Sequence, residues 1–205
     1  MGKAADRFFT IGKTGTNIVG NPQLAADSFA SKRALLCRAS IDPDLLDQLA
    51  TAASAVQFVS NPVEKLGHRW IEQPSRVGAA IELALNRPIL HKWLQSVTAC
   101  CANGRIEGRL VETRPGGVDH LDWHDDQIPN AQFGVSLHLR QCHYEGGAFE
   151  LRDVATKNRL FRHANATAGD LVIFEVSPRS QHRVMRLLSG QARQVFTGWF
   201  IAVPD

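Results

Sequence analysis

Near residue 104 the spacing of apolar positions along the chain changes. Before it the repeat is helical. In "SIDPDLLDQLATAASAV", Leu45, Leu46, Leu49 and Ala53 fall on one face, with Asp42 placed to cap and Pro43 at the first helical position. "SRVGAAIELALN" stacks Val77, Ala80, Ile81, Ala84 and Leu85 the same way, with Ser75 as the expected cap. "PILHKWLQSVTAC" aligns Ile89, Leu90, Trp93, Leu94 and Val97 behind Pro88. The intervening "FVSNPVEKLGHRWIEQP" reads as a long loop, and a loop of that length points to function rather than filler.

After residue 104 the apolar runs shorten to strand length: "GRLVETR", "AQFGVSLHL", "GAFELRD", "RLFRHA", "DLVIFEV", "QHRVMRLL" and "RQVFTGWFIAV". Turn material such as "RPGG", "YEGG", "ATAGD" and "LSGQ" separates them. Many short strands with glycine-rich turns and no helices between them predict a closed sandwich or barrel. The expected fold class is therefore α+β. A mainly helical layer, residues 1–104, packs on an all-β half, residues 105–205, within a single domain.

Composition narrows the functional classes. At 205 residues the chain can bury a core without disulfide or metal staples, and 44% apolar with 21% charged residues is ordinary for a globular protein. A net charge of +3 without a basic stripe predicts no nucleic-acid or anionic-membrane partner. No apolar run reaches membrane-spanning length, and "MGKAADRFF" lacks the apolar core of a secretion signal. Cys37, Cys100, Cys101 and Cys142 form no CxxC pair and fit a reduced interior, so a cytoplasmic location is expected. "IGKTGT" ends like a phosphate-binding loop, but Arg7 stands where that motif requires its first glycine, so an ordinary turn is expected.

Candidate chemistry concentrates in "DHLDWHDDQ", which carries His-x-Asp twice, as His120/Asp122 and His124/Asp126. On a strand, residues i and i+2 point the same way, so either pair can offer an imidazole and a carboxylate to one ion. A straight strand would put all four on one face across about 20 Å, too far for one ion. Spacing alone leaves both pairs open. Downstream, His182 follows a turn in "SPRSQHRV", and Arg193 opens the apolar strand "RQVFTGWF". A guanidinium in such a strand is costly to bury unless an anion meets it.

The order "RPGGVDHLDWHDD", "GVSLHL…YEGGAFEL", "AGDLVIF", "QHRV", "SGQARQVFTGWF" resembles the 2-oxoglutarate- and iron(II)-dependent dioxygenases, most nearly the prolyl-4-hydroxylase-like branch, over residues 105 to 200. The resemblance implies a double-stranded β-helix, or jelly roll. It also implies an iron triad of His124, Asp126 and His182, with His120 and Asp122 as supporting or substrate-side residues. Arg193 would hold the far carboxylate of 2-oxoglutarate, with Thr197 on the same strand face assisting. Iron(II), 2-oxoglutarate and O2 are the implied cofactors, ascorbate the auxiliary reductant, and succinate and CO2 the coproducts. A small molecule or peptide is the implied substrate, and the chain is silent on oligomeric state. Asp126 stands where halogenating relatives carry a small residue, which implies hydroxylation or a related oxidation. Trp199 stands where nucleic-acid demethylases carry a second Arg.

One position departs from the branch. Thr113, in "TRPG", replaces a Tyr that helps bind 2-oxoglutarate, with Arg114 as a possible substitute contact. The departure motivates a second expectation, a non-catalytic jelly-roll module that binds metal or ligand. His138 and His143 match no zinc spacing and are expected to be surface or hydrogen-bonded residues. His68 and Trp70 sit in a candidate substrate lid, Trp70 more as packing, and loops 57–74 and 118–131 are expected to face the substrate.

Overall fold

The structure is a computed structural model that describes residues 6–101, 103–116, 118–126, 128–141, 143–164 and 167–203. In chain order the elements are β1 (Phe9–Ile11), β2 (Thr16–Ile18), α1 (Pro22–Lys32), β3 (Ala34–Cys37), α2 (Pro43–Ser54), β4 (Phe58–Val63), β5 (Gly67–Glu72), α3 (Val77–Leu85) and α4 (Pro88–Thr98). Then follow β6 (Gly104–Thr113), β7 (His120–His124), β8 (Ala131–His138), β9 (Tyr144–Gly146), β10 (Phe149–Asp153), β11 (Arg159–His163), β12 (Leu171–Glu175), β13 (Ser180–Val184), β14 (Leu187–Gly190) and β15 (Arg193–Ala202).

The main sheet runs β11-β10-β13-β7-β5-β6-β15-β8-β12-β3, with β4 attached to β5, and its neighbours pair antiparallel. It folds over itself as a jelly roll, so residues from both of its halves line one internal cavity. The first half of the chain is less purely helical than expected. β3 closes one edge on β12, and β5 fills the gap between β6 and β7. The segment read as a long loop is the β4–β5 hairpin, registered from Phe58↔Glu72 to Val63↔Gly67. Its pattern was illegible because β4 is a half-exposed edge strand carrying Pro62, which only an edge tolerates.

The helices cover the outer face of β6, β15 and β8. Ile81, Leu85, Leu90, Trp93 and Leu94 share a core with Leu110, Phe133, Phe196 and Phe200. Strict alternation on β15 divides its labour: Phe196 and Phe200 join that core, while Arg193, Val195, Thr197 and Trp199 line the cavity. Asp42 caps α2 by accepting from the Asp44 amide at 3.1 Å, as its sequence predicts. α1 was not foreseen because Ala25 is its one buried residue, too little for a readable apolar face. Ala80 and Ile89 are exposed rather than on the packed faces. Ser75 is not the cap of α3 either. The buried Glu72 carboxylate reaches from β5 to accept from the amides of Arg76 (2.9 Å), Val77 (2.7 Å) and Gly78 (2.8 Å).

The "GKTG" segment forms the β1–β2 turn, closed by the Gly12 amide on the Gly15 carbonyl at 2.8 Å. Cys37, Cys100 and Cys101 are free thiols, and Cys142 lies outside the described residues. Among the described residues no helix is long and apolar enough to cross a membrane. Behind the cavity is a buried polar group: His138 and His163 have ring centroids 5.5 Å apart, and His163 Nε2 lies 3.5 Å from Asp170 Oδ2. Burial, then the charges of Arg38 and Arg193, push the His163 pKa down to about 4.

Two stability effects follow from these buried groups. Glu72→Ala leaves three helix-end amides without their charged acceptor, and an unfolding midpoint in urea should report a loss of about 2–3 kcal/mol. For His163, the unfolded imidazole binds its proton near 6.5 and the folded one near 4. Stability contributed by the neutral ring is therefore present above that window and is lost as pH falls through it. Urea midpoints taken across the window should decline with acid, and less steeply in His163→Gln. The slope should not vanish, because burial and the Arg193 charge also hold His138 low.

Candidate active site

His182, near the middle of β13, pairs in register with His124 at the end of β7. Two residues later the same ladder has slipped, with Val184 opposite Leu121. Three steps on β7 thus match two on β13, which is a β-bulge. The bulge breaks simple alternation. Leu121 and His124 both line the cavity, whereas the Asp122 side chain is turned out and 65% exposed. Of the two His-x-Asp pairs, the one whose carboxylate reaches the cavity is therefore His124/Asp126. The structure also corrects the picture of both ligands on one straight strand: β7 stops at His124, and Asp126 returns to the site from a left-handed turn, φ 45°.

The result is a compact triad. One ligand atom each from His124, Asp126 and His182 lies within 4.8 Å of the others, and among the described residues this is the group able to hold a metal ion. Asp126 sits between the rings, Oδ1 3.3 Å from His124 Nε2 and Oδ2 3.2 Å from His182 Nε2. The His124 Nδ1–H donates to the Asp122 carbonyl at 2.6 Å, which orients the ring with Nε2 facing inward. Trp199 donates its indole N–H to Asp126 Oδ2 at 2.6 Å. Two imidazoles and one carboxylate on one side of a cavity form the donor set that suits non-haem iron(II).

The electrostatics agree with the geometry. Burial alone would raise the Asp126 pKa, but hydrogen bonds to His124 and His182 and their charges bring it far below the usual carboxylate range. Burial works against protonated His124, yet the contacts with Asp126 outweigh it and raise its pKa. Burial dominates at His182 and lowers it. Phe149 and Phe174 supply the apolar wall against His182, with ring centroids at 5.6 and 4.6 Å. Gly134 permits this, since a Cβ there would collide with the Phe174 ring.

Deeper in the same cavity, which holds about 570 Å³ of empty space counting its open mouth, lies Arg193. It is 3% exposed, and its Nε has no hydrogen-bond partner. Burial lowers its pKa, and the nearby Tyr144 hydroxyl works in the opposite direction. Thr113 is its register partner across β6, and Thr113, Ser136 and Thr197 line the cavity on neighbouring strands. A buried guanidinium with an unsatisfied N–H among hydroxyls fits a carboxylate ligand.

All five residues singled out for chemistry, His124, Asp126, His182, Arg193 and Thr197, therefore line one cavity. His120 lines it as well, with Nδ1 bonded to the Val118 carbonyl at 2.7 Å. Arg114 does not replace the missing tyrosine. Its guanidinium lies 3.5 Å from the Trp70 ring centroid and donates to Glu112. His138 is buried rather than at the surface, and His143 is exposed. His68 joins the mouth of the cavity, with Nδ1 2.6 Å from Asp119 Oδ1 and Nε2 2.9 Å from Ser60 Oγ.

Three contributors escaped the sequence reading: Tyr144, Arg69 and the indole N–H of Trp199. Tyr144 had one available signal, being the single tyrosine of the chain. Nothing linear marks the other two.

A sequence model described as the 2OG-Fe(II) oxygenase superfamily matches residues 110–201. No curated protein sequence matches the chain. Among solved structures, a Pseudomonas putida prolyl-4-hydroxylase is similar at 18% identity and TM-score 0.67, covering 90% of this chain and 100% of that one. An oxidoreductase of the 2OG-Fe(II) oxygenase family from Burkholderia pseudomallei is similar at 12% identity and TM-score 0.71, covering 89% and 91%. A Trichoplax adhaerens prolyl hydroxylase, solved with a hypoxia inducible factor peptide fragment, is similar at 15% identity and TM-score 0.61, covering 88% and 90%. At these identities the likeness is one of fold, a prolyl-4-hydroxylase-like jelly roll. Residues 110–201 thus match the 2OG-Fe(II) oxygenase superfamily model and carry the His124–Asp126–His182 group, the arrangement of a 2-oxoglutarate- and iron(II)-dependent dioxygenase.

Proposed function

We propose that this dioxygenase hydroxylates an unactivated C–H bond of a small molecule or peptidyl residue, releasing succinate and CO2. The observation that carries the reading is the placement of the His124–Asp126–His182 triad and the buried Arg193 in a single cavity. Iron(II) and 2-oxoglutarate together supply oxygen activation, the decarboxylation of the cosubstrate providing the electrons that let one oxygen atom enter the substrate.

The chain's own residues do the rest. His124, Asp126 and His182 hold the metal from one side. Trp199 aims Asp126, and the Asp122 carbonyl aims His124. Arg193 takes the far carboxylate of 2-oxoglutarate, with Tyr144 and Thr197 beside it. Phe149 and Phe174 keep water from the metal side, and Val111 and Val195 line the wall beside Arg193. Against the non-catalytic alternative stands Arg193, buried with an unsatisfied N–H in the same cavity as the triad, with the Tyr144 phenol from β9 acting on its charge where Thr113 offers none.

Residues 1–205 act in this proposal as one domain, supported by the pairing of β3 and β5 into the jelly roll. The free thiols Cys37, Cys100 and Cys101 favour a reducing, cytoplasmic compartment.

Succinate release from 2-oxoglutarate with iron(II) and ascorbate is the direct test. His182→Ala should abolish it, and equal release from both proteins would refute the proposal. Arg193→Ala should weaken 2-oxoglutarate binding by about 100-fold or more, the usual result of deleting one partner of a buried ion pair. Trp199→Phe removes the donor to Asp126 and should lower iron(II) affinity by about tenfold in an anaerobic titration.

A further inference from the structure

A second guanidinium stands at the open side of the cavity, and the mechanism above does not use it. β5 pairs with β7 through Gly67 and His68, then with β6 through Trp70 and Ile71. Arg69 is the residue at the changeover, where the two halves of the folded sheet part, and its side chain lines the cavity. Its hydrogen-bond partner in the protein is Asn61 Oδ1 at 3.3 Å, a neutral group. Among the described residues no carboxylate makes an ion pair with it. Its charge is felt at both His124 and Asp126, with which it shares the cavity.

A neighbouring cation makes its situation less favourable. The Arg109 charge acts against Arg69, and Arg109 also lacks an ion pair among the described residues; its guanidinium carbon lies 5.9 Å from the Trp199 ring centroid. In the loaded site the charges of iron(II), Asp126, 2-oxoglutarate and Arg193 cancel. The half-buried Arg69 and its neighbour Arg109 then remain as positive charge without a counterpart. Placing two like charges together costs free energy that a bound anion would offset. The planar fork of a guanidinium selects an oxyanion with two coplanar acceptors.

We propose that Arg69 binds the substrate, and that the substrate is a carboxylate-bearing small molecule anchored by its carboxylate on this residue. Its carbon skeleton lies against Leu121, Val184 and Trp199, which presents a C–H bond to the metal side of the cavity. This assignment rests on the dioxygenase reading and narrows it. A prolyl residue inside a peptide chain carries no such charge beside the reacting carbon.

The test uses the full chain loaded anaerobically with iron(II) and 2-oxoglutarate, whose binding is measured first in every protein. Calorimetric titration then compares N-acetylproline with N-acetylprolinamide, benzoate with benzamide, and inorganic phosphate. Each carboxylate should bind at least tenfold more tightly than its amide, and Arg69→Gln should erase that preference. Arg69→Lys, which keeps the charge and loses the fork, should retain part of it and serves if the Gln protein does not fold.

Equal binding of acid and amide, a preference that survives in Arg69→Gln, or no binding of any probe would overturn the proposal. Phosphate binding in place of both carboxylates would overturn it in favour of a phosphorylated substrate. Failure of 2-oxoglutarate itself to bind, or binding unmoved by Arg193→Ala, would strike the dioxygenase reading instead.

Discussion

Taking the Arg193 guanidinium out of water costs several kcal/mol, and within the protein that cost is met only in part. The Tyr144 hydroxyl favours the charge and Thr113 lies across the ladder, but the Nε hydrogen is unsatisfied, and among the described residues no carboxylate pairs with it. Such a side chain stays ordered only if the strand beneath it cannot move. β15 meets that condition. It is paired along ten residues with β6 and along most of its length with β8, and Phe196 and Phe200 pin its outer face under the helices. The whole architecture of helices on one face and cavity on the other can be read as the means of keeping one charged group buried and fixed.

The metal end is built on the opposite half of the folded sheet, and its logic differs. There the protein brings a carboxylate between two imidazoles, and mutual attraction within the triad opposes the desolvation of each member. The cavity therefore has a charged anchor on one wall and a ligand cluster on the other. Ring contacts from Phe149 and Phe174 keep the ligand cluster dry, which strengthens every electrostatic interaction inside. The β4–β5 hairpin completes the enclosure by bridging the two halves, and it is there that the wall is least settled electrostatically, at Arg69.

The chain itself determined a good deal. The change from helical to alternating periodicity near residue 104 placed α2, α3, α4 and most strands of the jelly roll, because burial on one face leaves its period in the sequence whatever the partner is. The resemblance carried by residues 105–200 supplied the order of the motifs and hence His182 and Arg193. What the pattern did not carry were elements whose burial is weak or shared. α1 buries little beyond Ala25, and β4 is a half-exposed edge, so neither writes a period.

Spacing left the choice between His120/Asp122 and His124/Asp126 open; the resemblance pointed to His124/Asp126, and the physical reason lies in the tertiary structure. Both pairs obey the same two-residue rule and both histidines line the cavity, but beside the bulge between β7 and β13 Asp122 is turned to solvent while Asp126 returns to the site. The same holds for Tyr144, Trp199 and Arg69, which reach the site from strands far apart in sequence. Local propensity is a property of neighbouring residues and is legible one segment at a time. The meeting of side chains across a folded sheet depends on register, and register is set by all the strands together.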